Sequence, residues 1–202
     1  MTAHQGIRVL RRSDSERRSG IMEEMLDNGT VFISGPITTE LCHAFGAQVL
    51  YINSQDPRKR ITLYINSPGG SVHDGLAMID ICASVSNPIS TVGWGVCASM
   101  GAVLLACAGQ RGQRSAMQNC ELMLHQPLSG VQGQASDIVI VAEHVIKTRL
   151  RLNEMIAASC GQTVAKVAAD FDRDRWFTAG EALEYGLIDR VMEPSHEPLA
   201  RA

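Results

Sequence analysis

Ser99 and His125 are the two residues of this sequence best suited to chemistry. Ser99 lies in Gly93–Ala102, a glycine- and alanine-rich turn that leads into an apolar helix. His125 directly follows the short apolar segment Met123–Leu124. A serine hydroxyl becomes a useful nucleophile when an imidazole accepts its proton and backbone amides receive the developing oxyanion. The pair therefore indicates a serine hydrolase.

Backbone amides near Ser99 could receive that oxyanion. Met100 starts the helix, so its N–H has no partner within the helix, and the helix dipole favours negative charge there. Gly69–Gly70 is a second source of donors, because a segment without side chains lets a substrate approach the main chain closely. On local context alone, however, Ser99 is more often an ordinary helix N-cap than a nucleophile.

Other residues compete for the catalytic roles. Ser71 is a rival nucleophile, but Asp74, three positions later, makes it resemble the start of a capping box. A Ser–Lys dyad is a competing mechanism, for which the chain offers only Lys59, Lys147 and Lys166. A base histidine also needs an acceptor at its second ring nitrogen. Spacing cannot choose among the candidate acids, which are Asp170, Asp172 and Asp174.

His125 is the preferred base because of its place in the predicted fold. It ends a predicted parallel strand, at the sheet edge where α/β enzymes place their sites. The remaining histidines lie in predicted helices or in the tails, and they are His43, His73, His144, His4 and His196.

The composition limits the possible function classes. The chain has 202 residues, 45% of them hydrophobic, which fits one globular domain. The net charge of −3 disfavours nucleic acid as a partner, and no apolar run is long enough for a membrane span. The six cysteines form no C-x-x-C pair, which indicates a reducing compartment and no zinc or other metal. A phosphate-binding loop for ATP is also missing from the sequence.

The pattern of apolar segments predicts an α/β fold. Strand-like segments at 31–33, 61–65, 89–93 and 121–125 alternate with helical segments, which implies parallel strands joined by right-handed crossovers. The longest helix is expected from about Gln134 to Ser159, with Gly161 as its C-cap. Residues 1–20 are polar and aperiodic, so we expect a flexible arm, then one domain over 21–193 and a tail over 194–202.

Five segments in a fixed order resemble the ClpP family, the proteolytic subunits of caseinolytic (Clp) proteases, over about residues 24–193. They are Leu63–Val72, Ala98–Ala102, His125–Leu128, Gly133–Ile138, and Asp172–Arg175 followed by Tyr185–Asp189. The resemblance implies a ClpP/crotonase-like fold, a repeated β-α-β superhelix with a protruding handle helix. It also implies a serine endopeptidase that hydrolyses unfolded polypeptides with broad specificity.

By this resemblance each site residue has a role. Ser99 would be the nucleophile, His125 the base and Asp174 the orienting acid. The backbone amides of Gly70 and Met100 would form the oxyanion hole. Extended substrate would pair as an added β-strand with two strips, whose members are Gly69, Ser71, Val72, Pro127 and Leu128.

The resemblance also implies partners. The family assembles as two stacked heptameric rings, a tetradecamer, in which the helix from Gln134 would be the inter-ring handle. Asp172–Arg173 matches an ion pair that links ring contacts to alignment of the triad. A hexameric Clp ATPase of the ClpX, ClpC or ClpA type would feed unfolded substrates in cytoplasmic protein quality control. It would dock on a cleft lined by Thr62, Tyr64, Val92 and Trp94, and this chain itself would need no cofactor.

Several positions depart from the family pattern. Val96–Cys97 replaces the usual Gln-Ala before the nucleophile, Met117–Cys120 replaces a Leu-Pro-Asn-Ser stretch, and Thr62 replaces a common aromatic residue. These departures make a mixed complex with a paralogous ClpP subunit plausible. They also leave one alternative, a catalytically weak structural subunit of a mixed ring. A second alternative is a crotonase-like acyl-CoA enzyme, because that group shares a related fold and glycine-rich oxyanion turns.

Overall fold

A mixed α/β domain contains all the described elements. The computed structural model of the chain describes residues 14–127 and 132–193. Its strands are β1 (Thr30–Ser34), β2 (Ile61–Ser67), β3 (Ile89–Ala98), β4 (Arg114–Met117), β5 (Glu121–Leu124), β6 (Arg175–Thr178) and β7 (Arg190–Met192). Its helices are α1 (Asp14–Asp27), α2 (Thr39–Gln55), α3 (Val72–Ser84), α4 (Met100–Ala108), α5 (Ala135–Cys160), α6 (Val164–Asp170) and α7 (Ala179–Tyr185).

The strands form a sheet that divides at β3. One path runs in the order β1-β2-β3-β4-β7, and all its pairs are parallel. On a second path β5 pairs with β3 in parallel and with β6 in antiparallel orientation. The predicted α/β class with parallel strands is confirmed. The antiparallel pair β5–β6 is an addition that strand–helix alternation did not predict.

Alternation of side chains places the core between the sheet and its helices. In β2 every second residue is buried, and in α2 the buried side chains recur with helical spacing. Thr38 caps α2, since its Oγ1 accepts the Leu41 N–H at 3.3 Å. Gly161 ends α5 in the left-handed conformation, as the sequence predicted. Local signals therefore set these boundaries correctly.

The end of β3 differs from the sequence prediction. We expected the strand to stop at Gly93, but it continues to Ala98. Gly95, with a φ of 72°, makes a bulge, and the Asn66 side chain supports it by accepting the Val96 N–H at 3.3 Å. Before the bulge β3 pairs with β4, and after it β3 pairs with β5. The predicted end at Gly93 falls two residues before the bulge glycine, so the part of the strand beyond the bulge was missed.

Three further features differ from the sequence analysis or were absent from it. Helix α1 begins at Asp14, so it crosses the boundary that we placed between residues 20 and 21. The helix is too polar for its periodicity to be visible. The short strands β4, β6 and β7 were also not predicted from the pattern of apolar residues. Ser71 caps α3 through a bond from the Asp74 N–H, but the Asp74 carboxylate accepts from Thr39 instead of completing a capping box.

A buried ion pair ties the last strand to the middle of the domain. The Arg114 side chain, only 4% exposed, binds both carboxylate oxygens of Asp189, at 2.9 and 2.6 Å. Its remaining N–H groups donate to the carbonyls of Ala106 and Ser159. The hydrogen bonds from Arg114 lower the pKa of the Asp189 carboxyl below its usual value. Removing one partner would leave a buried charge without compensation.

We expect Asp189→Ala to lower the free energy of unfolding by about 3–5 kcal/mol, because it strands the Arg114 guanidinium. The matched control is Asp56→Ala, which removes an exposed ion pair with Arg58 and should cost about 0–1 kcal/mol. Urea unfolding at fixed protein concentration measures the free energy of unfolding of both variants. Because the pKa of Asp189 is lowered on folding, the gap between wild type and Asp189→Ala should narrow below about pH 4. Equal effects of the two substitutions would contradict this role.

Candidate active site

Ser99 projects from the sharp turn between β3 and α4. It occupies the N-cap position of α4, but its side chain makes no capping hydrogen bond. Its Oγ instead lies 2.9 Å from Nε2 of His125. The ordinary reading of Ser99 as a helix cap is therefore wrong for its side chain, and the hydroxyl is directed at an imidazole.

The backbone of Ser99 adopts a conformation that costs energy. With φ 52° and ψ −123°, it is the one non-glycine residue with positive φ in the described parts of the chain. Such conformations cost about 1–3 kcal/mol and persist only where the surroundings enforce them. Here the Ser99 N–H donates to the Met123 carbonyl of β5 at 2.7 Å, and its carbonyl accepts from Ala102 and Val103. The turn is thus fixed on both sides.

His125 follows the last residue of β5 and completes a chain of hydrogen bonds. Its Nδ1 lies 3.0 Å from Oδ1 of Asp174. An ionised carboxylate can only accept, so Nδ1 carries the proton and Nε2 is left to accept the Ser99 hydroxyl. The His125 side chain is only 16% exposed, whereas that of Asp174 is 63% exposed. The arrangement can remove a proton from Ser99 and hold it on the ring.

The antiparallel pair β5–β6 explains why Asp174 is the acid that lies nearest. Leu124 pairs with Arg175, so the residues next to them, His125 and Asp174, meet beyond the end of the ladder. Asp170 is occupied elsewhere, since it binds Lys166, Arg175 and the Tyr185 hydroxyl. Asp172 accepts a bond from the Gln126 side chain at its carbonyl, at 2.8 Å. The contacts in the structure thus distinguish the three aspartates, which their spacing in the sequence could not do.

The glycine turn lies directly against the serine turn. A Cβ on Gly69 would come within 2.7 Å of the Ser99 Cβ and 2.9 Å of the Met100 nitrogen, and its φ is 92°. Gly70, with a φ of 149°, bridges in parallel to Ile37, and the Ile37 N–H donates to the Gly69 carbonyl. Only glycine fits this approach, which brings Gly69 against Ser99 and the Met100 nitrogen.

The competing catalytic groups have other partners. The Lys166 ammonium binds Asp170 and lies over the Tyr185 ring, and the Lys59 ammonium binds the Asp27 carbonyl. The buried Cys97 thiol faces Cys120 with the two sulfurs 4.0 Å apart. A hydrogen bond with Cys120 and burial both raise the pKa of Cys97, so it remains a neutral thiol. None of these residues takes the place of His125 or Ser99.

The other predicted binding residues lie on two separate surfaces. Ser71 and Val72 start α3 directly after the glycine turn, and Pro127 follows the histidine, whereas Leu128 lies outside the described residues. The second surface is formed by β2 and β3, where Thr62 and Tyr64 pair with Ser90 and Val92. Val92 is only 6% exposed, so it forms the floor of that surface rather than a wall.

Comparisons with known proteins agree with this geometry. Residues 13–195 match the family model described as Clp protease. The chain belongs to the Clp protease family. It is 42% identical over 181 residues to a curated "ATP-dependent Clp protease proteolytic subunit" of Ligilactobacillus salivarius (strain UCC118), covering 90% of this chain and 91% of that relative.

Family membership confirms the main reading of the sequence. The chain is a serine peptidase and a homologue of Clp proteolytic subunits. The predicted ClpP-like fold is confirmed as well, and neither the crotonase-like enzyme nor the structural subunit gains support. Among the described residues, no helix is both long and apolar enough to cross a membrane.

Sequence reasoning missed several residues that support the site. The buried Ser67 hydroxyl accepts the Gly69 N–H at 3.1 Å and so shapes the glycine turn. Arg149 of α5 donates to the Gln126 side chain at 3.0 Å. The sequence Asn66–Ser67 before a Pro-Gly-Gly turn could have identified the first contact, because such residues often bond nearby backbone. No local signal could have identified the second, which joins distant segments.

We expect Ser99→Gly to be more stable than Ser99→Ala by about 1 kcal/mol, since only glycine relieves the positive φ. Both variants lack the hydroxyl, so the comparison isolates the backbone. The midpoint of urea unfolding is the measurement. As a control, Ser54 lies in α2 with helical backbone, and there Gly should be less stable than Ala by about 1 kcal/mol. The same order of stability at both positions would show that Ser99 stores no strain.

Proposed function

We propose that this chain hydrolyses peptide bonds with Ser99 as nucleophile, His125 as general base and Asp174 as orienting acid. The observation that carries the proposal is the continuous chain from Ser99 Oγ to His125 Nε2, at 2.9 Å, and from His125 Nδ1 to Asp174, at 3.0 Å. Both distances lie within the range at which a proton can be transferred or a tautomer held.

The reaction would take place in two stages. Ser99 Oγ attacks the carbonyl carbon of the substrate while its proton moves to His125 Nε2, and Asp174 stabilises the resulting imidazolium. His125 then gives this proton to the leaving amine, which departs and leaves an acyl-enzyme on Ser99. In the second stage water loses a proton to His125 and attacks the ester. The acid product leaves as the proton returns to Ser99.

The negative charge on the attacked carbonyl oxygen needs fixed donors. We assign this role to the backbone amides of Gly70 and Met100. The close packing of Gly69 on Ser99 supports the assignment, because it places both amide-bearing turns beside the nucleophile. Met100 also begins α4, where the dipole of the helix favours negative charge. Donors held by the fold require no reorganisation during the reaction.

Substrate would bind as an extended strand between two strips of backbone. The first strip comprises Gly69, Ser71 and Val72, and the second comprises Pro127 and Leu128. Recognition through main-chain hydrogen bonds depends little on the side chains of the substrate. We therefore infer broad specificity and unfolded polypeptides as substrates, since a folded chain does not offer a free strand.

The exposed face of α5 supports an assembly of several copies. Helix α5 is the longest described helix and starts after Gln134, yet several of its large apolar side chains are exposed among the described residues. Its exposed large apolar side chains are Ile138, Val139, Ile140, Ile146 and Leu150. Exposed patches of this kind mark interaction sites. We propose that α5 is the handle between two stacked heptameric rings, formed with identical or paralogous subunits.

A chain of hydrogen bonds would couple this handle to the catalytic acid. Arg149 of α5 donates to Gln126, which lies next to His125, and Gln126 in turn donates to Asp172. The Arg173 and Asp172 side chains are exposed and 3.7 Å apart, and the Asp172 carboxylate also accepts from Gln126, so a neighbouring copy that binds either side chain would compete with these contacts. Contacts made by a second ring could therefore alter the loop that carries Asp174.

Energy for unfolding would come from another protein. We propose a hexameric Clp ATPase of the ClpX, ClpC or ClpA type, docked on the surface formed by Thr62, Tyr64, Val92 and Trp94. The Tyr64 ring stacks on Phe32, with 5.5 Å between the centroids, so this surface offers aromatic area. The peptidase chemistry uses no cofactor, and we place the complex in the cytoplasm.

Labelling with a fluorophosphonate probe tests the proposal directly. Wild-type protein should form a covalent adduct that Ser99→Ala abolishes, because the probe reacts only with an activated serine. Ser71→Ala tests the rival nucleophile and should still form the adduct, whereas Ser54→Ala, at an exposed serine of α2, is the control that should label like wild type. The measurement is run with and without a partner subunit or an activator. If no label depends on Ser99 even with those components present, the proposal is wrong.

Asp174→Asn tests the assignment of the acid. We expect it to slow acylation by about 10²–10⁴-fold, because the neutral amide cannot stabilise the imidazolium of His125. Asp170→Asn is the control, since Asp170 binds Lys166 and Arg175 rather than His125. Labelling reactions quenched at set times give the acylation rates of the Asp174→Asn and Asp170→Asn variants. Equal losses in the two variants would refute the role of Asp174.

A further inference from the structure

The glycine turn that follows β2 is anchored by three hydrogen bonds. The Ser67 hydroxyl accepts the Gly69 N–H at 3.1 Å. The Gly69 carbonyl accepts the Ile37 N–H at 2.8 Å, and the Ile37 carbonyl accepts the Ser71 N–H at 3.0 Å. The last two bonds join backbone to backbone. The bond to Ser67 is the one of the three that depends on a side chain, so a substitution can remove it.

The peptide between Gly69 and Gly70 determines where the Gly70 N–H points. This peptide is trans, so its C=O and its N–H point in opposite directions. Because the Gly69 C=O points at Ile37, the Gly70 N–H points away from Ile37. Ile37 follows β1 and Ser99 follows β3, and β2 lies between these strands in the sheet. The Gly70 N–H is therefore directed to the side on which Ser99 lies.

Gly69 is the flexible residue on which this orientation depends. Its φ is 92°, a conformation that glycine adopts readily but does not hold by itself, because glycine has the greatest conformational freedom. Its N–H is bound to Ser67 and its C=O to Ile37, so both peptides that flank it are fixed. The Gly70 N–H has no acceptor of its own in the described part of the chain. Its direction thus depends on the two bonds of Gly69.

The Ser67 hydroxyl is itself held rigidly. Ser67 is fully buried at the end of β2 and pairs with Cys97 of β3. A Cβ on Gly101 would come within 2.7 Å of the Ser67 carbonyl oxygen, so the backbone of α4 packs directly on this residue. Without the hydroxyl, the buried Gly69 N–H would lack an acceptor, which is costly enough to make the peptide turn toward another partner.

We propose that Ser67 is a positioning residue for the oxyanion hole. Its hydroxyl, acting through Gly69, aims the Gly70 N–H at the oxygen that becomes negative when Ser99 attacks. This role rests on the proposed function, in which the Gly70 amide is one of two donors. The oxyanion exists only during the reaction, so a misdirected donor weakens binding of the transition state and not of the substrate. The effect should therefore fall on kcat, with little change in KM.

Kinetics of peptide hydrolysis test this role, with any partner subunit or activator that the wild type requires. We expect Ser67→Ala to lower kcat about 10–10²-fold and to change KM less than about 3-fold, because a donor is misplaced but not removed. Ser67→Cys should also lower kcat, since a thiol fills nearly the same space but accepts hydrogen bonds weakly. Ser115→Ala, at a buried serine of β4, is the control and should keep both constants near wild type.

The rate of fluorophosphonate labelling is a second readout, because the phosphoryl oxygen of the probe takes the place of the oxyanion. We expect it to fall with kcat in both Ser67 variants. Unchanged kcat in variants that circular dichroism shows to be folded, or a rise in KM alone, would overturn the role of Ser67 and leave Ser99 as the nucleophile. A wild-type protein that neither hydrolyses peptide nor takes the label would contradict the proposed function itself, and the role of Ser67 with it.

Discussion

The departure of β3 from β4 toward β5 is the constraint on which the candidate site depends. A parallel sheet that continued straight would keep the end of β3 beside β4, away from the elements that carry the base and the acid. The bulge at Gly95, supported by Asn66, bends the strand so that its last residues pair with β5. Since β5 also pairs with β6, this single change of partner brings Ser99, His125 and Asp174 to one edge.

Close packing then fixes the geometry that the bulge makes possible. Gly69 and Gly101 leave room for the backbone near Ser99 and Ser67, and a Cβ on Gly75 would meet the Met100 side chain at 2.3 Å. Close packing at these three glycines therefore surrounds the Ser99 turn. This packing offsets the conformational strain at Ser99. Conformational freedom is removed where the reacting atoms lie, whereas Asp174 remains largely exposed to solvent.

Much of this organisation could be predicted from the sequence, for physical reasons. Apolar alternation identified the central strands, and Thr38 and Gly161 marked helix ends because caps are local features. The candidate nucleophile Ser99 and the candidate base His125 were identified from their turn and strand positions and from five ordered family segments. The bulge at Gly95 could not be predicted, since the strand pattern already ended at Gly93 and two glycines so close together are equally typical of the end of a strand. The choice of Asp174 and the bond from Arg149 to Gln126 depend on contacts between distant segments, which periodicity does not encode.

The path from α5 to the loop of the acid runs through the side chain of Gln126. An amide does not titrate, and the guanidinium of Arg149 keeps its charge at any physiological pH. Displacement of α5 therefore reaches Asp172 through a guanidinium, an amide and a backbone carbonyl, none of which changes its charge at physiological pH. The position of the helix is thus transmitted to the loop of Asp174 by groups that take no part in the proposed transfer of a proton from Ser99 to His125.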